Sequence, residues 1–156
     1  MTQKLTQKPI ALAADHRGFP LKEHIKKWLQ AHDYTVNDFG TDQAANRVDA
    51  MDYALKVVKE IKEGRSDFAI AICGSGQMMA MTANRFPFIR AALVHQASEA
   101  TDTRQHHDAN VLALPADLLD PSTTETIVQT FLTTAPLGDR YSARREKLNK
   151  LDIREI

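Results

Sequence analysis

The chain has 156 residues, in which 20 lysines and arginines balance 20 aspartates and glutamates. This length suits one domain with a core of its own, and zero net charge gives no reason to expect a nucleic acid, a membrane or an acidic partner. The single cysteine excludes an internal disulfide and fits a cytoplasmic protein, while neither a membrane span nor a signal peptide is visible.

Short apolar runs alternate with amphipathic stretches along the chain. In chain order, the runs predict strands over residues 10–14, 34–39, 68–72, 89–94 and 109–114. The stretches predict helices over residues 20–32, 49–63, 78–85, 96–106, 122–134 and 140–150. This alternation predicts one three-layer α/β domain over residues 1–156, with a five-stranded parallel sheet between helices. We expect a flexible leader over residues 1–8 and a C-terminal helix and tail over residues 139–156.

The stretch from residue 67 to residue 85, DFAIAICGSGQMMAMTANR, joins a strand, a glycine-rich turn and a helix. Gly74 and Gly76 can take positive φ, which would let backbone N–H groups converge on an anion. A positive field at this turn favours the thiolate form of Cys73, which is the reactive form. The pattern predicts a basic sulfur beside a cradle for an oxyanion. The alternative is a structural turn with a small packed cysteine.

Asp15 and His16 close the first strand. They could shuttle protons or hold an anion, or they could be a helix-start aspartate and a surface histidine. In parallel sheets, ligands bind beyond the carboxyl ends of the strands. Asp15, His16, Cys73 and His95 are all predicted at such ends, so we expect a site there.

Two further groups of polar residues lie near the C-terminal third of the chain. RQHHDAN, residues 104–110, directly precedes a buried strand. Adjacent His106 and His107 point in different directions, and no HxH or HExxH spacing occurs, so a metal site is disfavoured. Arg140 and Arg144 lie one helical turn apart, which suits a phosphate or carboxylate, although a charged helix is often only solvated.

Several segments, taken together, resemble type B ribose-5-phosphate isomerases, a family that includes galactose-6-phosphate isomerase subunits. The segments, from about Ile10 to Leu148, are AADHRGFPLK, CGSGQMMAMTANR, IRAALVH, RQHHDANVLAL and GDRYSARR. The resemblance implies a Rossmann-like homodimer or homotetramer whose C-terminal helix reaches a neighbouring subunit. It also implies interconversion of aldose and ketose phosphates through a cis-enediol(ate), without a metal or other cofactor.

The resemblance implies a role for each site residue. Cys73 would move the proton between C1 and C2 of the sugar, and Asp15 would relay the proton between O1 and O2. Ser75, where the family usually has threonine, would help His106 to open the sugar ring. The other expected substrate contacts are the backbone N–H groups of Gly74, Gly76, Gln77 and Met78 at the enediolate oxygen, the side chain of His107 at a substrate oxygen, and those of His16, Arg140 and Arg144 at the phosphate.

Four positions depart from the family pattern around the substrate. Ala50 replaces a pocket tyrosine, Met78 replaces a cradle glycine, and His107 replaces an asparagine. Asp117 stands where many members have a phosphate-binding arginine, and a carboxylate near a phosphate dianion is repulsive. These departures predict a change in substrate preference with the chemistry retained.

Three hypotheses of function follow. The first is a ribose-5-phosphate isomerase of the pentose phosphate pathway. The second is the same chemistry on another sugar or sugar phosphate, a tetrose or a hexose. The third is a non-catalytic subunit or sugar-phosphate-binding module, against which Cys73 and His106 argue because a binder needs neither. A dinucleotide site lacks its GxGxxG motif after the first strand, and a thiol-redox role lacks a second cysteine.

Overall fold

The sheet occupies the centre of the computed structural model, which describes residues 4–152 and residue 154. Its five parallel strands are β1 (Ile10–Ala14), β2 (Val36–Asp38), β3 (Ala69–Cys73), β4 (Ala91–Leu93) and β5 (Val111–Pro115), in the order β2-β1-β3-β5-β4. Every residue of the three central strands is buried, as expected for strands covered on both faces. The edge strands β2 and β4 are half-buried.

Helices cover both faces of the sheet. They are α1 (Phe19–Ala31), α2 (Ala50–Lys62), α3 (Gln77–Ala83), α4 (Ala97–His107), α5 (Pro121–Thr133) and α6 (Arg140–Asn149). Residues of α1, α4 and α5 pack with one face of the sheet, residues of α2 and α3 pack with the other, and α6 lies against α4. The predicted three-layer α/β fold is therefore confirmed.

The element boundaries follow local chemistry. The Asp49 carboxylate accepts a hydrogen bond from the Met51 N–H (3.0 Å) at the start of α2, and Asp120 caps α5 in the same way. The edge strands are shorter than predicted. Ile89 and Val94 are buried, but only Ala91–Leu93 pairs with β5, because an edge strand has one neighbour.

The leader and the tail are described in part. Leu5 packs against the core, and the Thr6 hydroxyl donates to an Asp67 carboxylate oxygen at 2.6 Å. Residues 1–3 of the predicted leader and residues 153, 155 and 156 of the predicted tail lie outside the described residues. Flexibility of the leader stays a prediction. Within residues 4–152 and 154, no helix combines the length and the apolar character that crossing a bilayer requires.

A crevice is expected between β1 and β3 where these neighbouring strands end. The helix that follows β1 covers one face of the sheet, whereas the helix that follows β3 covers the other. Diverging connections of this kind mark the ligand-binding point of open α/β sheets. We call the side of the sheet where the strands end the carboxyl edge, and the side where they begin the amino edge.

Candidate active site

Asp15 and Cys73 lie side by side at the carboxyl edge. The register pairs Ala14 of β1 with Ile72 of β3, so the next residue of each strand stands opposite the other, with strands about 4.8 Å apart. Side-chain alternation directs both residues toward the face covered by α2 and α3. Cys73 is 4% exposed and Asp15 is 6% exposed. Both groups are recessed at the crevice.

The turn after β1 holds Asp15 in place. One carboxylate oxygen of Asp15 accepts hydrogen bonds from the N–H groups of Arg17 (3.0 Å) and Gly18 (2.9 Å). A Cβ at Gly18 would meet the Ile72 carbonyl oxygen at 2.5 Å. Only glycine therefore lets this turn lie against the end of β3. Among the residues that the structure describes, none donates a hydrogen bond to the second carboxylate oxygen of Asp15.

His16 follows Asp15 in the same turn and is half-buried. The Val48 N–H donates to its Nδ1 atom at 3.2 Å. A nitrogen that accepts a hydrogen bond carries no proton, so Nε2 carries the hydrogen and is the donor. His16 is thereby set up to offer an N–H group to an anion.

The glycine-rich turn after β3 is shaped by Gly76. Gly76 has φ of 71°, and a Cβ there would also clash with the Leu93 side chain, so this position requires glycine. Ser75, Gln77 and Met78 are exposed. The Gln77 N–H donates to the Ser75 hydroxyl oxygen at 3.3 Å, so this amide of the expected cradle already has a partner inside the turn.

Gly74 has a different requirement. It is not among the glycines with positive φ in the described chain. A Cβ at Gly74 would instead lie 2.7 Å from Arg17 Nε and 2.9 Å from a carboxylate oxygen of Asp117. The Arg17 and Asp117 side chains form an ion pair in that space. Sequence reasoning missed this pair, and the repulsion expected of Asp117 is offset by the Arg17 charge.

The departure at Ala50 also lies on this side of the molecule. Ala50 is the first residue of α2 and belongs to the same apolar cluster as Cys73. The sequence prediction of altered substrate contacts is thus tied to the neighbourhood of the thiol.

The predicted histidines and phosphate-binding arginines lie elsewhere. The helix α4 runs back from the end of β4 and finishes at His107, before β5 begins at Val111. His106 and His107 therefore lie at the amino edge, whereas Cys73 lies at the carboxyl edge. Five strand residues at about 3.3 Å each put roughly 16 Å between the two edges. The structure brings Cys73, Asp15, His16 and Ser75 together, but not His106, His107, Arg140 or Arg144.

Tyr141 organises the second group. Its ring stacks on the His106 ring, with centroids 4.5 Å apart and planes 6° from parallel. Arg140 Nη2 donates to the Tyr141 hydroxyl at 2.8 Å, and the Arg140 and Arg144 guanidinium groups lie 4.8 and 5.7 Å from the Tyr141 ring centroid. No sequence signal indicated this role beyond the position of Tyr141 between the two arginines.

A groove of about 850 Å³ opens beside this second group. Its lining includes His107, Arg85 and Leu148. Leu148 is 50% exposed on α6, and none of the residues described in α6 is buried. The groove and α6 together present a surface of mixed apolar and cationic character at the amino edge.

Arg104 fixes the loop that carries these histidines. It is 2% exposed, donates to Asp108 Oδ1 (2.7 Å) and to the Ala109 carbonyl (2.6 Å), and lies 4.7 Å from the Phe68 ring centroid. Burial lowers the pKa of the Arg104 guanidinium from its ordinary value. Arg104 is therefore a structural anchor. Over residues 4–152 and 154, no three His, Cys, Asp or Glu side chains converge in a way that could hold a metal ion.

Comparison with known proteins gives consistent findings. A family model described as "Ribose/Galactose Isomerase" matches residues 10–148. The chain is 34% identical to ribose-5-phosphate isomerase B of Escherichia coli over 147 residues, which cover 94% of this chain and 98% of that protein. It superimposes on a Thermotoga maritima ribose 5-phosphate isomerase with a TM-score of 0.90 and 40% identity, covering 94% of this chain and 100% of the other. It also superimposes on a Mycoplasma genitalium ribose-5-phosphate isomerase B with bound ribulose-5-phosphate. The TM-score is 0.87 and the identity 34%, covering 93% of this chain and 96% of the other.

Proposed function

The chain belongs to the ribose/galactose isomerase family, and on that premise we propose that it interconverts ribose 5-phosphate and ribulose 5-phosphate. The observation that carries the proposal is the placement of Asp15 beside Cys73 at the carboxyl edge. An aldose–ketose isomerisation moves one proton between two carbons and one between two oxygens. Two recessed proton-carrying groups on one face of a crevice match that requirement.

The proposed chemistry is a proton transfer through a cis-enediolate. The Cys73 thiolate removes the proton from C2 of the opened aldose and returns it to C1, while Asp15 carries a proton between O1 and O2. Backbone N–H groups between Gly74 and Met78 stabilise the negative oxygen, a contribution of about a hundredfold or more in comparable sites. Ser75 and His106 assist ring opening. No redox group is needed, so activity is expected to survive a metal chelator.

The complete site requires a second copy of the chain. His106, His107, Arg140 and Arg144 lie at the amino edge, about 16 Å from Cys73 in the same chain. We propose a homo-oligomer in which the amino edge of one copy faces the carboxyl edge of another, with α6 reaching across. A two-fold axis then generates two equal sites from one contact. This arrangement is supported by α6, whose Leu148, Arg140 and Arg144 are exposed and whose described residues include none that is buried against its own chain.

The same chemistry on a tetrose or hexose derivative is the second candidate. It is favoured by Ala50, which lies in the apolar cluster of Cys73, and by Met78, which is 44% exposed on the glycine-rich turn. Either residue changes the room available to a sugar of different length.

The lone cysteine is consistent with the proposed location in the reducing cytoplasm.

One experiment separates these candidates. The purified chain is incubated in D2O with aldoses of four, five and six carbons, each with and without a terminal phosphate. Deuterium at C2 is followed by NMR. The proposal expects fastest exchange with ribose 5-phosphate, and the control that retains it is His24→Ala, at an exposed contact between α1 and α5. Faster exchange with a tetrose or hexose favours the second candidate, and no exchange with any sugar contradicts both.

A further inference from the structure

Arg17 and Asp117 form an ion pair whose position stability alone does not explain. The residues lie 100 positions apart in the sequence, and Arg17 Nη2 donates to Asp117 Oδ2. The side chains are 59% and 40% exposed. Exposed pairs contribute little to stability. The buried Arg104–Asp108 pair, whose arginine is 2% exposed, shows how differently this chain builds a structural pair.

The pair is nevertheless held in a defined place. The Asp117 N–H donates to the Gly74 carbonyl oxygen at 3.0 Å, which ties the loop after β5 to the glycine-rich turn. Arg17 belongs to the turn that Asp15 closes through its carboxylate. The guanidinium then lies directly over Gly74, the residue after Cys73. The loop after β5, the turn after β1 and the glycine-rich turn therefore meet at the Arg17–Asp117 pair.

The guanidinium keeps donors for a ligand. Arginine carries five N–H donors in a planar fork, and in the part of the chain that the structure describes, Nη2 to Asp117 is the one hydrogen bond donated by the Arg17 side chain. His16, the preceding residue, offers its Nε2–H on the same turn, as its bond from Val48 requires. Two neighbouring donors beside Cys73 suit a phosphate monoester, which guanidinium groups bind through paired hydrogen bonds.

Resting on the proposed function, we infer that Arg17 binds the phosphate of the substrate and that Asp117 is a positioning residue that holds the Arg17 guanidinium over Gly74. Asp117 acts through Arg17 and does not touch the substrate. The pair restricts a flexible side chain to one place before the ligand arrives, which lowers the entropy lost on binding.

This inference predicts that Asp117→Asn changes the affinity for phosphate in opposite directions with and without Arg17. With Arg17 present, Asp117→Asn frees the guanidinium, so phosphate binding weakens. With Arg17 replaced by alanine, Asp117 is an unpaired carboxylate facing a dianion, so Asp117→Asn strengthens binding. A carboxylate that only repels the phosphate would give strengthening in both backgrounds.

The test is calorimetric titration of the full-length chain with inorganic phosphate. Arg17→Ala is expected to raise Kd by roughly tenfold to a hundredfold, the range for lost charged hydrogen bonds. Arg17→Lys keeps the charge without the planar fork of donors, so its Kd should lie between those of the wild type and Arg17→Ala. Asp117→Asn raises Kd by about threefold to tenfold, and the same change in the Arg17→Ala background lowers it. The control His24→Ala removes an exposed contact to Glu125 in the helix layer of α1 and α5, with side chains 41% and 33% exposed, and leaves Kd unchanged.

Kinetics supplies the second readout. Arg17→Ala and Asp117→Asn should each raise KM for the phosphorylated sugar by about the factor by which that variant raises the phosphate Kd, with kcat within about twofold, since binding and not proton transfer is affected. An unchanged phosphate Kd in Arg17→Ala, or strengthened binding in Asp117→Asn alone, would overturn the inference. If the wild-type chain binds phosphate through Arg17 but isomerises no sugar phosphate, the proposed function fails and this inference stands.

Discussion

The two edges of the sheet use polar residues in opposite ways. At the carboxyl edge, Asp15 and Cys73 are recessed against the core, while the ion pair of Arg17 and Asp117 is exposed. At the amino edge, the ion pair of Arg104 is buried, while the predicted ligand-binding arginines stand on α6, a helix without buried residues in its described length. The groups proposed to move protons are therefore buried in their own chain, whereas the groups expected to bind ligand across a subunit contact are supported by little of their own chain.

The largest expected effect concerns the carboxyl edge. Cys73→Ala removes the proposed base, so deuterium exchange at C2 should fall by about a thousandfold or more. Binding of inorganic phosphate should stay within about twofold, because the thiol does not contact that group. Exchange at the wild-type rate would remove the thiol from the mechanism.

The second-largest expected effect is a difference in stability between variants of the ion pairs at the two edges. Arg104→Ala leaves the carbonyl groups of Ala109 and Thr134 without their buried donor and leaves Asp108 with Arg90 alone, so the free energy of unfolding should fall by about 3 kcal/mol or more. Arg17→Ala, which breaks an exposed pair, should cost at most about 1 kcal/mol. Urea unfolding of the two variants measures both values. Equal losses would mean that burial does not separate the two pairs.

The aromatic stack at the amino edge should give a smaller effect. Tyr141→Ala removes the ring that lies parallel to His106, and we expect kcat to fall by about tenfold, in line with loss of positioning of one acid–base group. Tyr141→Phe keeps the stack and should retain most of kcat. If Tyr141→Phe lowers kcat as much as Tyr141→Ala does, the hydroxyl bonded to Arg140 matters and the stack does not.

The smallest effect is a pH dependence of stability at the end of β2. Burial raises the pKa of Asp38, but hydrogen bonds from Lys22 and Lys26 outweigh it, so the pKa lies below its ordinary 3.8. A depressed carboxyl pKa stabilises the fold above the ordinary value, and this stabilisation is lost as pH falls below about 4. Asp38→Asn should therefore melt below wild type at pH 6, with the gap in Tm narrowing toward pH 3. A constant gap would contradict the assignment.

The sequence predicted the layers of the fold well because apolar period and capping are local signals. The shared edge of Cys73 and Asp15 was also predicted correctly, since both residues lie at the ends of buried strands and parallel strands end at the same edge. The need for glycine at position 74 was explained by positive φ, whereas the structure shows that the Arg17–Asp117 pair occupies the space of a Cβ atom there. That pair joins residues 100 positions apart, and no local pattern reports such a contact.

The position of His106 shows the same limit. A histidine before a buried strand and a cysteine after another look alike in a linear sequence, yet the strand direction places them at opposite edges. Tyr141 gave even less signal, because its role depends on stacking between two helices. Strand direction alone assigns the edges of a parallel sheet, so what lay beyond the sequence was the set of contacts that His106 and Tyr141 make.

The most direct test of a site divided between two copies is complementation of inactive variants. Cys73→Ala and His106→Ala chains are dissociated, mixed in equal amounts and reassociated, and ribose 5-phosphate turnover is measured. Random pairing makes half of the dimers mixed, each with one intact site of two, so about one quarter of wild-type activity should return. Activity no higher than that of either variant treated alone would contradict the division of the site.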